Sequence, residues 1–254
     1  MNLIDSHAHY NDEKFDEDRE DVLKSVYNEG ITTIINAGYS LESSKKAIEI
    51  AQKHEFVYAT VGVSPNDIEN LPNDYLEQLE NMAKNEKIVA IGEIGLDYYW
   101  NKENKNLQKQ VFENQIKLAS KLELPIVIHT REAVMDTLEI LKNASTTPKG
   151  VFHCCPLNIE LVKEALKLGF YISFAGPITF KNSKNAKDII ELVPTEKMLV
   201  ETDSPYLSPE PVRGTRNDSR NIKYIAQKIA DVKQVPIEDL TDIIQKNLKN
   251  IFKI

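Results

Sequence analysis

Apolar positions along the chain alternate between two spacings. Short runs that are apolar at nearly every position recur at 31–38, 56–62, 88–92, 125–129, 150–153, 170–174 and 198–201, and Leu3-Ile4 opens another at the start. Runs of this length, rich in Val and Ile and not alternating with polar residues, predict strands buried on both faces. Between them lie segments with apolar residues three and four apart: 16–29, 41–54, 75–85, 107–122, 133–141, 159–168 and 186–192. That spacing predicts amphipathic helices. Residues 222–254 carry the same spacing and predict two further helices. Strands buried on both faces belong to a parallel sheet covered by helices, and eight such units in about 250 residues is the size of a (β/α)8 TIM barrel. A doubly wound sheet is the alternative, but no G-x-G-x-x-G follows the first strand. The expectation is one barrel domain spanning 1–254.

Composition adds little to the fold and narrows the setting. No apolar run approaches the ~20 residues of a membrane span, and the start of the chain lacks a basic segment followed by an apolar core. A cytoplasmic protein without membrane or obligate protein partner is expected. Cys154 and Cys155 are adjacent. Their Cα atoms, about 3.8 Å apart, are too close for an ordinary bridge, and the pair reads as small buried thiols. The net charge of −8 argues against a broad basic surface for nucleic acid, although a few placed arginines and bound cations can reverse the field inside a cleft.

The chemistry concentrates at the predicted strand ends, where barrel active sites form. His7 and His9 follow the first strand, two residues apart, and extended backbone points such a pair to one side. Glu93 follows the fourth strand, His129 closes the fifth, His153 closes the sixth, and Asp203 follows the eighth. The chain has five histidines, and four fall at strand ends; His54 ends a helix and reads as a cap. Four imidazoles and two carboxylates exceed what one four-coordinate cation needs. They suit two divalent metals bridged by a carboxylate. Glu93 is assigned as the bridge, with His7, His9 and Asp203 on one side and His129 with His153 on the other. Zinc, manganese, cobalt or nickel suits such donors, and magnesium is the oxygen-preferring alternative.

Several motifs carry a further likeness. Asp5-Ser-His-Ala-His9, Gly92-Glu-Ile-Gly-Leu-Asp-Tyr98, Pro125-Ile-Val-Ile-His-Thr-Arg131, Ser173–Asn182, Glu201-Thr-Asp-Ser-Pro-Tyr-Leu207 and Pro211–Asn217 together resemble the TatD-type metal-dependent deoxyribonucleases of the amidohydrolase barrel superfamily. The resemblance covers essentially the whole chain. It implies that the same six residues are the metal ligands. It also implies hydrolysis of DNA phosphodiesters with two divalent cations, often from a 3′ end. The chain departs from the family at Gly62-Val-Ser-Pro65, where members usually carry Gly-x-His-Pro, and at Cys155, where an aromatic residue is frequent.

The expected function is therefore a 3′–5′ exonuclease acting on single strands or 3′ ends. Asp203 serves as general base, Glu93 bridges the metals, and Arg131, Lys181 and Arg213 position phosphate. Tyr98, Tyr99 and Trp100 either stack on a base or cover the barrel mouth. A hydrolase of a small ester, amide or lactone, or of aminoacyl-tRNA, is the competing expectation, because the barrel hosts many chemistries. A non-catalytic barrel is a third, disfavoured by the presence of all six ligands.

Overall fold

A computed structural model describes residues 2–144 and 146–254. Its strands are β1 (Leu3–Ala8), β2 (Ile31–Ala37), β3 (Val57–Val61), β4 (Ile88–Asp97), β5 (Ile126–Arg131), β6 (Gly150–Phe152), β7 (Tyr171–Phe174) and β8 (Met198–Val200). They form one eight-stranded parallel sheet in sequence order. Helices α1 (Arg19–Asn28), α2 (Leu41–Lys53), α3 (Tyr75–Met82), α4 (Lys105–Leu122), α5 (Val134–Asn143), α6 (Ile159–Lys167) and α7 (Ala186–Leu192) lie between consecutive strands. Then α8 (Ile222–Lys233) and α9 (Ile237–Phe252) follow. The fold is the expected (β/α)8 barrel.

Local chemistry starts the helices where the periodicity does. Ser40 caps α2 in a reciprocal box with Ser43, and the Asn158 carboxamide accepts from Leu161 N at 2.9 Å to cap α6. Each helix turns its apolar stripe to the sheet, as with Leu161, Val162 and Ala165 of α6. His54 stands at the C-terminal cap position of α2, its Nε2 3.1 Å from Glu20.

The barrel closes where β1 meets the chain leaving β8. Asp203 N donates to His7 O at 3.0 Å and His9 N to Ser204 O at 2.7 Å. Beneath them Asp5, fully buried, accepts from Thr202 N at 2.9 Å and from the hydroxyls of Thr202 and Ser219. Burial pushes the Asp5 carboxyl up to about 7 against those hydrogen bonds. Helix α9 packs across β1 and β8, and Asn247 from it donates to Met198 O at 2.8 Å. The seam thus sets His7, His9 and Asp203 side by side.

Strand β4 corrects the expected boundaries. It continues past 92 to Asp97, every residue buried, so Glu93 lies inside the strand rather than after it. Charged and glycine residues ordinarily end an apolar run, but here their side chains and backbone find partners. An irregularity between Ile91 and Ile94 resets the pairing, after which Gly95 lies opposite His129 and Asp97 opposite Arg131. Gly95 has φ +145°, and a Cβ there would sit 1.9 Å from His129 O; only glycine lets the strands approach this closely. Strand β6 stops at Phe152, leaving His153 just beyond its end. No helix among the described residues is long and apolar enough to cross a membrane.

Candidate metal centre

The four strand-end histidines and two carboxylates meet at the mouth of the barrel. His7 Nε2 and His9 Nε2 lie 3.1 Å apart, as do His129 Nδ1 and His153 Nε2. Glu93 lies between the pairs and faces both. Its Oε2 is 3.4 Å from His7 and 3.6 Å from His9, and its Oε1 is 3.1 Å from His129 and 3.3 Å from His153. Asp203 Oδ1 is 3.3 Å from His9 and 3.8 Å from His7. Asp203 reaches them through a left-handed backbone, φ 56°, a conformation that Asp tolerates better than most residues.

Hydrogen bonds behind the rings fix which nitrogen looks inward. His9 Nδ1 donates to Ala37 O at 3.0 Å, His129 Nε2 to Asp97 Oδ2 at 3.0 Å, and His153 Nδ1 to Glu201 Oε1 at 3.2 Å. Each ring spends its N–H outward and leaves its other nitrogen facing Glu93. This is the outer-shell pattern of metal-binding histidines. His7 Nδ1 is buried without a hydrogen-bond partner, and the His7 ring stacks on His153 at 4.0 Å.

The donor set fits cations. Nitrogens bound to one ion at about 2.0–2.1 Å stand about 3–3.4 Å apart, the separation seen within each pair. Among the described residues, three groups have ligand atoms within 4.8 Å of one another: His7, His9 and Glu93; Glu93, His129 and His153; and His7, His153 and Asp203. All six residues are buried or nearly so, and packing these polar groups together needs compensating charge.

Without metal, protons supply that charge. Burial alone would raise Glu93, but His153, His129 and His7 hold its carboxyl well below the usual range. Asp203 is lowered by His9 against its burial. Burial would lower His153, yet Glu93 and Glu201 hold it well above an ordinary imidazole. His129 is raised by Asp97 and Glu93, and His9 by Asp203, each against burial. His7 alone is lowered, by burial and by His153.

These shifts give a signed expectation for the metal-free protein. Raised histidines contribute stability below their ordinary value of 6.5 that is lost as pH rises through their folded values. Asp5, raised, also loses stability as pH climbs from 3.8 towards 7. Glu93 and Asp203, lowered, are already ionised in both states above about pH 5 and add no slope there; only His7 opposes the trend. Metal displaces the same protons, so its affinity rises with pH. The melting temperature of chelator-treated protein should fall between about pH 5 and 8, while the increment produced by added metal grows. A metal increment that shrinks over this range would contradict the assignment.

Sequence reasoning missed the residues behind the candidate ligands. Asp97 and Glu201 were quoted only as parts of motifs, and Asp5 only as part of the first. One signal was available: Asp97 lies four residues from Glu93 and Glu201 two from Asp203, with both pairs near expected strand ends. Two of the three expected phosphate-positioning cations lie over aromatic rings. Arg131 lies 3.8 Å over the Tyr99 ring. Arg213 lies 4.1 Å over Phe180 and 3.9 Å from Glu210. Lys181 is exposed. Ser64, at the position where the family usually has His, is buried and donates to Asp67 Oδ2 at 2.7 Å. Cys154 N donates to Glu201 Oε1 at 2.6 Å; both thiols are free and burial pushes them up.

A parallel barrel with imidazoles and carboxylates gathered at its C-terminal mouth defines the class of barrel metal-dependent hydrolases. The particular family follows from comparison with known proteins. The family described as TatD related DNase matches residues 4–253, and the chain belongs to it. The metal-dependent hydrolase YabD of Bacillus subtilis is 40% identical over 253 residues, 99% of each chain. The metal-dependent hydrolase YcfH of Escherichia coli is 36% identical over 258 residues, covering 100% of this chain and 97% of the other. Among solved structures, the TatD homologue YJJV of Escherichia coli superposes with a TM-score of 0.92 at 25% identity, covering 99% of this chain and 98% of that one. A TatD-family hydrolase of Entamoeba histolytica gives 0.90 at 25% identity over the same shares.

Proposed function

We propose that this TatD-family hydrolase is a deoxyribonuclease, cleaving phosphodiester bonds from the 3′ end of single-stranded DNA with two divalent cations. The supporting observation is Glu93, which offers one carboxylate oxygen to each of two histidine pairs. Two cations at such a centre neutralise a transferring phosphate and acidify water. Zinc, manganese, cobalt or nickel matches the imidazoles, with magnesium the oxygen-preferring alternative.

The chain's own groups supply the rest. Ionised Asp203 opens into the mouth beside His9 and accepts the proton of the attacking water as general base. The outward N–H bonds of His9, His129 and His153 hold the rings so that no reorganisation accompanies the reaction. Arg131, the last residue of β5, with Lys181 and Arg213 on the segments that follow β7 and β8, bring positive charge to the substrate backbone in a chain of net charge −8. The seating of Arg131 over Tyr99 and of Arg213 over Phe180 leaves their guanidinium N–H groups at the ring edges.

The test is cleavage of 3′-labelled single-stranded DNA by metal-stripped protein with magnesium, manganese or zinc added back. Release of the labelled nucleotide should depend on metal, and Asp203→Asn should slow it by about 10²–10⁴-fold, the range for losing a general base. Failure to cleave DNA with two metals bound per chain would overturn the nuclease reading. Hydrolysis of small esters or aminoacyl-tRNA in its place would give the centre to acyl substrates.

A further inference from the structure

One patch at the barrel mouth is rigid in backbone and open in side chain. Trp100 is 68% exposed and Tyr99 45%, their rings perpendicular with centroids 4.8 Å apart. The Arg131 guanidinium lies 3.8 Å over Tyr99 and 5.5 Å from the Trp100 centroid. Their neighbour Tyr98 is used differently: buried, its hydroxyl donates to Asp136 at 2.6 Å. Large aromatic rings left in water beside a cation are a recognition surface rather than part of a core.

The turn carrying the rings is tied down from two sides. Tyr99 N and Trp100 N donate to Asp97 Oδ1 at 2.9 and 3.1 Å. Buried Gln108 of α4 accepts from Asp97 N at 2.8 Å and donates to Asp97 O and Asn101 O at 3.0 and 2.9 Å. Ordering such a surface on binding costs little, because its backbone is already fixed. The other oxygen of Asp97 holds His129. The aromatic turn is thus two hydrogen bonds from an imidazole that faces Glu93.

We infer that Tyr99, Trp100 and Arg131 form a stacking platform for an unpaired nucleobase next to the phosphate being cleaved; this rests on the nuclease reading above. Every base has a π-face, so an aromatic platform accepts bases without regard to sequence. The guanidinium stacks on the rings and keeps its edge N–H groups for phosphate. A base inside a duplex has its faces covered by neighbours, so the platform selects frayed or single-stranded ends. A peptide aromatic would use the rings but leave the phosphate-binding edge of Arg131 idle.

Trp100 is the chain's single tryptophan, so its emission reports the platform directly. Full-length Asp203→Asn protein with magnesium is titrated with a single-stranded oligonucleotide. The comparisons are a blunt duplex of the same sequence and a strand lacking its 3′-terminal base. The single strand should quench saturably, the other two weakly. By anisotropy of a labelled strand, Trp100→Ala should weaken binding by about 5- to 150-fold, the worth of one stacked base, with Trp100→Phe restoring most of it. Unchanged melting of Trp100→Ala keeps misfolding from imitating the result. Equal quenching by all three DNAs, or equal binding by Trp100→Ala, overturns the platform. Cleavage of DNA by the wild-type protein alongside unquenched Trp100 overturns the platform alone. Quenching by single strands without any cleavage overturns the nuclease reading alone.

Discussion

Glu93→Gln is expected to reduce bound metal from the two ions per chain proposed above to one at most and to slow hydrolysis by at least ~10²-fold. The substitution keeps the shape of the side chain and changes what its two ends offer. A carboxylate presents an acceptor to His7 and His9 through one oxygen and to His129 and His153 through the other. An amide presents an acceptor at one end and N–H groups at the other, and the N–H end repels a cation. The protein without metal feels the change as well, because Glu93 is the leading source of the raised His153. With the negative charge gone, His153 should titrate closer to an ordinary imidazole, since an unpaired buried imidazolium is costly. Metal content by elemental analysis and cleavage of a labelled strand read the two effects separately. A variant that binds two ions and cleaves within a few-fold of the parent would remove Glu93 from the bridging role proposed for it.

How much of this was legible in the sequence follows from what each feature depends on. The alternation of strands and helices was readable because burial of a parallel sheet imposes period, and α7 lies at 186–192 as its apolar spacing predicts. The convergence of the six candidate ligands was readable because barrel topology brings strand ends to one place, so histidines far apart in sequence inherit a common address. The extent of β4 was not readable. Gly92, Glu93, Gly95 and Asp97 look like a strand end, and only the partners on β5 and the pairing irregularity reveal continued sheet. The stacking of Arg131 on Tyr99 joins the end of β5 to the turn after β4, and nothing in either segment announces it. Local pattern carries backbone period and topology carries convergence, but contacts made by loop side chains depend on a packing that neither encodes.

Asp97 ties the candidate metal centre to the aromatic turn, and Asp97→Asn is the substitution that separates them. Oδ2 accepts the His129 Nε2 proton, while Oδ1 holds the backbone of Tyr99 and Trp100. An asparagine oxygen can still accept from the two backbone N–H groups, so the aromatic turn should stay. Its NH2 then meets His129 Nε2, and two donors cannot share that bond. The ring is driven to the other tautomer, with its proton on Nδ1, the nitrogen that stands 3.1 Å from Glu93. A protonated nitrogen cannot ligate a metal. Metal affinity should therefore fall by about 10- to 100-fold, the usual cost of losing an outer-shell partner, with hydrolysis falling alongside it at limiting metal. Trp100 emission should stay as in the parent protein. Asp97→Ala, which leaves neither acceptor, should weaken metal binding and also alter the emission of Trp100. Calorimetric titration with metal and the tryptophan spectrum together decide the matter. Unchanged metal affinity in Asp97→Asn would show that His129 does not depend on Asp97 for its tautomer, and an altered spectrum in that variant would show that the turn needs the charge and not merely the acceptor.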